Sequence, residues 1–339
     1  LALHQIIQRF LLIGVRIEMP PAADAPAPPA VLSPLIDAVE PARSTFDRQA
    51  MAFGDRYRSG FWAIYLLSAV AVLCAVLPLG LGWDDSRHAL HPFVGAWAVL
   101  EVLIICVVGS IYWLGHRSDW QGQWLRARTT AELIGYLPLL APIVDFGHAG
   151  ADADWYLRVF DPGQHLREAP DVAAMCVKIE PLARERLAHA WKDPEFVSGY
   201  ARWTIGVLEA QRRYHIRVAV RQKALQHRVH ALNNWLFGLT ALGALTHLVL
   251  HALWLSLVTT FFPALGASLH GALAQSEAYR LGAGSERLAA DLQGAIDRIR
   301  SAEPRQGPLR ESIQAALALI IEEHQDWHML VRPHHLPLA

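Results

Sequence analysis

Few of the 339 residues stand where chemistry could be expected, and the most informative is Glu101. It lies about ten residues into the run Pro92–Leu114, which carries no other charge. A carboxylate near mid-bilayer depth is costly, and such groups usually face a bundle interior or a wet path. Two roles fit: a cation-attracting ring lining a pore in an oligomer, or a protonated or hydrogen-bonded group joining helices through Ser68, Ser110 or Tyr65. His247 and His251 are spaced i, i+4 on one helical face, with His270 on the next apolar run. Paired imidazoles can hold a metal or relay protons. No acidic residue accompanies them there, and 17 histidines are scattered along the chain, so neutral histidines hydrogen-bonding between helices are the plainer account. Ala264, Gly266, Ala267, Ser268, Gly271 and Ala272 form a small-residue surface. The Ala267/Gly271 and Ser268/Ala272 spacings suit close helix packing, either between subunits or within one chain. Of three cysteines, Cys74 and Cys106 fall in apolar runs and read as packing residues, and no CxxC pair occurs. There is no phosphate loop, G-x-S-x-G, HExxH or nucleophile–base pair, so no enzyme, cofactor or metal is expected.

The elements that must carry these residues follow from composition. Hydrophobic residues reach 53% and charged ones only 18%, with the apolar excess concentrated in a few runs. The net charge of -1 offers no basic field, which discounts nucleic acid as a partner. Phe61–Gly82 is uncharged and would rise about 33 Å as a helix, enough for a hydrocarbon core about 30 Å thick. Pro92–Leu114 is long enough to return. Trp235–Ala274, without Asp, Glu, Lys or Arg, matches two spans joined by a minimal turn between His251 and Pro263. Trp62, Tyr65, Trp83, Tyr112 and Trp113 stand where interfacial aromatics belong. The sequence therefore predicts an all-α membrane protein: two transmembrane helical hairpins, making four spans, and a cytosolic helical domain. The lipid bilayer is its first partner, and a homo-oligomer is expected.

Around the spans the chain divides into five parts. Residues 1–43 hold a short apolar segment, Leu1–Val15, and the Pro/Ala-rich Pro20–Pro34, read as an extended linker. The first segment contains His4 and Arg9, which makes it too polar and too short for a span, and its charge placement is unlike a signal peptide. Residues 44–133 hold the first hairpin, preceded by a basic helix over Ser44–Gly60 and followed by an amphipathic one over Arg117–Leu133. Residues 134–194 are a mixed cytosolic segment. In it the apolar stretch Leu133–Val144 is buried or interfacial, Asp145–Pro194 is rich in turns, and a helix falls near Pro181–Trp191. Residues 195–302 hold a long basic helix over Glu195–Asn234, the second hairpin, and a trailing helix over Gln275–Ala302. Residues 303–339 hold a last helix, Leu309–Leu330, set off by Pro304 and Gly307-Pro308. Both hairpins share the plan of basic helix, hairpin and trailing helix, which suggests an internal duplication. Arg43, Arg48, Arg56 and Arg58 precede the first hairpin, and Arg117, Arg126 and Arg128 follow it. Arg212, Arg213, Arg217, Arg221, Lys223 and Arg228 precede the second. The positive-inside rule then places both termini in the cytosol. The basic helix before the second hairpin serves that rule as a solvated face, or binds anionic lipid.

The run "FDRQAMAFGDRYRSGFWAIYLLSAVAVLCAV", the span with Glu101, and "WQGQWLRARTTAEL" resemble bacterial SLATT-type proteins, two-transmembrane effector modules associated with nucleotide-sensing SMODS and SLOG systems. Asp47, Ala50, Tyr57, Arg58 and Ser59 carry the likeness before the hairpin, and Trp124, Arg128, Ala131 and Glu132 after it. The later stretch, through Gln211, Tyr214, His215, Pro263, Gly266, Gly271 and Ser285, is similar to the membrane portion of larger bacterial proteins. Those carry a SLOG domain like that of TRPM channels. The resemblance covers roughly Ser44–Trp327. It implies a pore-forming or membrane-perturbing effector of bacterial defence or stress signalling in the inner membrane. Nothing before Phe46 could form a Rossmann-like sheet, so sensing is expected from a SLOG-like or nucleotide-sensing domain in a longer chain or a neighbouring protein. A non-conducting membrane anchor, and a small cation or proton transporter using His247 and His251, are the other classes the sequence admits.

Overall fold

A computed structural model describes residues 2–15, 26–144, 170–302 and 306–331, which form nine α-helices and no strand. They are α1 (Leu3–Leu11), α2 (Ser33–Gly80), α3 (Val94–Arg117), α4 (Trp120–Leu140), α5 (Pro170–Leu187), α6 (Pro194–Leu250), α7 (Leu253–Gln275), α8 (Ala278–Ala302) and α9 (Gln306–Val331).

Two of these helices are much longer than the rest. Helix α2 runs 48 residues without a break, polar in its first half and apolar in its second. It begins at Ser33, well ahead of the basic helix expected from Ser44. The proline in its first turn costs no hydrogen bond there, and Leu32, Leu35 and Val39 are buried in a core that holds this extra stretch in place. The end of the supposed linker is likewise packed: a Cβ at Gly206 of α6 would stand 2.4 Å from Pro26 Cδ. Residues 16–25 of that linker lie outside the described residues. Helix α6 runs 57 residues, capped by the Asp193 carboxylate, which accepts from Glu195 N–H at 2.9 Å. The basic helix expected over Glu195–Asn234, leading directly into the apolar run, continues into it as one unbroken helix. It ends at His251, whose left-handed φ of 49° starts the tight turn into α7.

Each long helix is followed by an apolar return helix and then a helix that packs back along its polar half. The set α2–α3–α4 and the set α6–α7–α8 repeat this plan. In the apolar half α2 packs against α3 on one side and α7 on the other, and α7 packs against α6, so the four segments lie in the order α3–α2–α7–α6. Glycines set the distances on both sides of α7. A Cβ at Gly271 would stand 2.4 Å from Tyr65 Cε1 of α2, and one at Gly243 of α6 would stand 3.0 Å from Val258 Cγ1.

Among the described residues three helices are long and apolar enough to cross a membrane, within Ala30–Gly80, His91–Arg117 and Leu253–Ala302. The end of α6 is shorter: Trp235–Leu250 rises only about 24 Å, because Asn233 and Asn234 bound it on the polar side. Helix α3 buries only Gly115 within the chain. Val99, Val102, Leu103 and Ile105 project outward, and each such side chain left in water forgoes about 1.5–3 kcal/mol of burial.

The polar halves build a helical domain around one core. Leu35 and Val39 of α2, Leu133–Leu140 of α4, Val172 and Ile179 of α5, Tyr200 and Leu208 of α6, Ile296 and Ile299 of α8, and Ile313 and Leu317 of α9 meet there. The apolar stretch Leu133–Val144 is thus mostly buried among helices. The helix expected near Pro181–Trp191 is α5, which starts earlier, at Pro170. Its Val172, Met175 and Cys176 complete an apolar face. Asp145–Ala169 lies outside the described residues. Fully buried Tyr200 donates its hydroxyl to Leu139 O at 2.6 Å, and burial holds that phenol protonated.

Replacing Gly271 with alanine is expected to destabilise the detergent-solubilised protein by about 1–3 kcal/mol, since the methyl group overlaps the Tyr65 ring. Gly109→Ala, in α3 where an added methyl group meets nothing, is the control. Thermal unfolding midpoints of the two variants measure the difference.

Candidate functional site at the polar–apolar boundary

Glu101 sits a third of the way along α3, half-exposed, within electrostatic reach of buried Cys74 on α2. Among the described residues it makes no hydrogen bond or ion pair. The hydroxyls that could have served it are engaged in their own helices: Ser68 Oγ donates to Ile64 O at 2.8 Å and Ser110 Oγ to Cys106 O at 2.7 Å. Tyr65 lies against Gly271 on the α7 side of α2.

The histidines are not gathered into one place. His247 and His251 rings are 6.4 Å apart at the turn between α6 and α7, where His251 Nδ1 lies 3.3 Å from Val249 O. His270 is near the opposite end of α7, 6.1 Å from the His230 ring. No group of three metal-ligating side chains occurs among the described residues. The small-residue surface divides too: Gly271 faces α2, Gly266 lies towards Asn233 of α6, Ser268 is buried and Ala267 is exposed.

What does converge is a belt of polar and aromatic groups where the long helices pass from polar to apolar. The Arg58 guanidinium lies over the Trp124 ring at 5.2 Å and donates to Gly54 O at 3.0 Å. Tyr57 stacks on the same indole at 5.8 Å, and its hydroxyl accepts from Gln275 Nε2 at 2.9 Å, so α2, α4 and α7 meet at one point. Burial raises the Tyr57 phenol to about 12 and pulls the Arg58 guanidinium down. One turn further from the apolar half, Arg128 of α4 pairs with Asp47 of α2 at 3.3 Å and with Glu132. Well away from that boundary, in the polar half of α6, Gln211 donates to Tyr136 OH at 3.2 Å, and the buried His215 ring meets Ser285 Oγ of α8 at 3.3 Å. Tyr214 is half-exposed with its ring edge-on to His215. Lys223–Glu286 and Arg300–Glu209, both at 2.6 Å, tie α6 to α8 further along. Of the residues that carried the family likeness, Tyr57, Arg58 and Trp124 thus join helices at the crossing level, whereas Gln211 and His215 join them about 30 Å or more along α6 from Trp235; what such contacts can do is mechanical. They fix the register in which the polar domain meets the apolar segments.

Helix α1 completes the belt, and sequence reasoning missed it. His4 is buried against α2: its backbone N–H donates to Ser59 Oγ at 3.4 Å, its Nδ1 meets the same hydroxyl at 3.2 Å, and Nε2 lies 3.8 Å from Asp55. Gln8 accepts from Arg221 of α6 at 2.6 Å, and Ile13 O accepts from Arg228 at 3.2 Å. Ile7, Leu11 and Leu12 pack onto the cluster of Tyr57, Phe61 and Trp62. The available signal was the spacing of His4, Ile7, Gln8 and Leu11, which share one helical face.

Burial lowers the His4 pKa to about 4, with Arg58 and Arg221 adding to the shift and Asp55 opposing it. Released imidazole takes up its proton near pH 6.5. Between these values the undocked state binds more protons, so the docking contribution is complete above about pH 6.5 and is lost as pH falls towards 4. Amide exchange over Leu3–Leu11, corrected for its intrinsic pH dependence, is expected to accelerate across that window, and His4→Gln is expected to flatten the response. Equal protection at pH 7 and pH 4 in the parent would refute this coupling. No protein-family model, curated protein or solved structure matches the chain.

Proposed function

We propose that the chain is a multi-pass membrane effector which, as an oligomer, forms a pore or perturbs the bilayer when a nucleotide signal reaches its cytosolic domain. On this reading α2, α3, the apolar end of α6 and α7 are four spans of the inner membrane, with the polar domain and both termini in the cytosol. The short end of α6 is accommodated by local thinning and by Arg228 reaching to the headgroups. Arginines before and after the hairpins support the orientation. A SLOG-like or other nucleotide-sensing domain supplies the signal, as the SLATT-type resemblance implies.

The observation that carries the reading is Glu101. It is the sole acidic residue of α3, it lacks a partner among the described residues, and it stands on the helix least covered by the rest of the chain. A carboxylate so placed is expensive unless assembly gives it water, a cation or a hydrogen bond. Four segments in a row enclose nothing by themselves, so conduction requires several copies, with α3 the natural wall. The row also favours a second reading, a non-conducting anchor whose hairpins only tether the cytosolic helices.

Cation flux through proteoliposomes, with the associated sensor and its ligand present, separates the two. The pore reading expects Glu101→Gln to cut flux on the order of tenfold while leaving the fold intact. The anchor reading expects no flux from parent or variant, and unchanged function when the hairpins are exchanged for unrelated spans.

A further inference from the structure

Helix α1 has a face that neither the core nor the belt uses. Leu3, Ile6 and Phe10 are 42%, 52% and 73% exposed, and Ile13 in the turn beyond is 66% exposed. They are three, four and three residues apart, so they line one side of the helix. Exposed Arg9 stands on the flank of this stripe, away from His4, Ile7, Gln8 and Leu11, which face the protein.

The height of the helix tells what covers that stripe. His4 touches Ser59, two residues before Phe61, where the apolar half of α2 begins. Ile13 O is held by Arg228, about 10 Å along α6 from Trp235. Trp235 and Phe237 are among the most exposed apolar side chains of the chain and open the surface that a bilayer must cover. The stripe of α1 therefore lies at the edge of that surface, flanked by Arg9, Arg221 and Arg228 at the level of headgroups. A short helix with one apolar side, a basic flank and this placement suits the plane between headgroups and acyl chains, with its apolar side about 5–10 Å deep.

We propose that α1 is an interfacial helix. Leu3, Ile6, Phe10 and Ile13 insert into the leaflet on the side of the polar domain, while His4, Gln8 and Leu11 anchor the helix to the junction of α2 and α6. This rests on the membrane reading of the chain but not on conduction. One consequence is that lipid packing and pressure in that leaflet bear directly on the boundary belt through His4 and Ser59.

Depth measurement by spin labelling tests it. Phe10→Cys, Ile13→Cys, Val102→Cys and Arg202→Cys are each made in a background where Cys74, Cys106 and Cys176 are alanine. Each is labelled with a nitroxide and reconstituted into vesicles of neutral and anionic phospholipid. Collision with oxygen, which partitions into lipid, is compared with collision with a water-soluble nickel chelate. Labels at Phe10 and Ile13 are expected to show an oxygen-to-nickel ratio at least about fivefold above that at Arg202 and on the side of Val102. A ratio matching Arg202 at Phe10 and Ile13, with Val102 in lipid, overturns the interfacial helix and leaves the membrane reading standing. Shielding of both labels from both reagents means that protein covers the stripe, which overturns it equally. If Val102 itself behaves like Arg202, the membrane reading fails and the interfacial helix with it.

Discussion

A helix that leaves water for lipid cannot change its backbone to suit. Its N–H and C=O groups are already paired within the helix, and that is why it can enter the bilayer. Only the side chains can change, and they must do so at one level. Helices α2 and α6 both pass from polar to apolar sequence in single unbroken rods of 48 and 57 residues. The rest of the fold answers their needs on either side. In the polar half, α4 and α8 return along the rods and cover the faces that would otherwise meet water. In the apolar half α7 is wedged between them, close enough for Gly271 to lie against the Tyr65 ring.

The crossing level is where polar sequence meets apolar, and one group of polar contacts between helices gathers there. Arg58 must keep a charge while losing water, and it does so over the Trp124 ring with Gly54 O as acceptor. Tyr57 turns its ring to the apolar side and its hydroxyl to Gln275. Each group is amphipathic, one end suited to grease and the other to a hydrogen bond, as at any lipid boundary. Because these contacts join α2 to α4 and α7, a shift of α2 against either neighbour must break some of them.

How much of this could be read beforehand follows the reach of each signal. The runs in α2, α3 and α7 declared themselves because apolarity is a local property and a span needs nothing but length. The turn at His251 fell within the interval left open for it. The true start of α2 was obscured by the Pro/Ala-rich run Pro20–Pro34, which reads as an extended linker. The helix nevertheless begins at Ser33, because Leu35 and Val39 are buried on partners distant in sequence. Asn233 and Asn234 mark where polar sequence gives way to apolar, and α6 passes straight through them into Trp235, as read. Glu101 was visible as an anomaly in a span. Its lack of a partner was not, because that depends on Ser68 and Ser110 bonding to their own backbones. Helix α1 was read as a leftover segment, since its meaning lies in contacts with Ser59, Arg221 and Arg228.

The two hairpins repeat a plan but not an environment, and the difference sorts their residues. Helix α7 is held from two sides and carries glycine and buried serine where its neighbours press, at Gly271 and Ser268. Nothing in its span is charged. Helix α3 is held from one side, buries almost nothing, and carries the carboxylate. An acidic group on the face of α7 that buries Ser268 and Ala272 would be desolvated by the chain itself, whereas on α3 its surroundings remain open to whatever assembles beside it. Close packing therefore belongs to the helix that must stay, and the costly charge to the helix with room to find a partner.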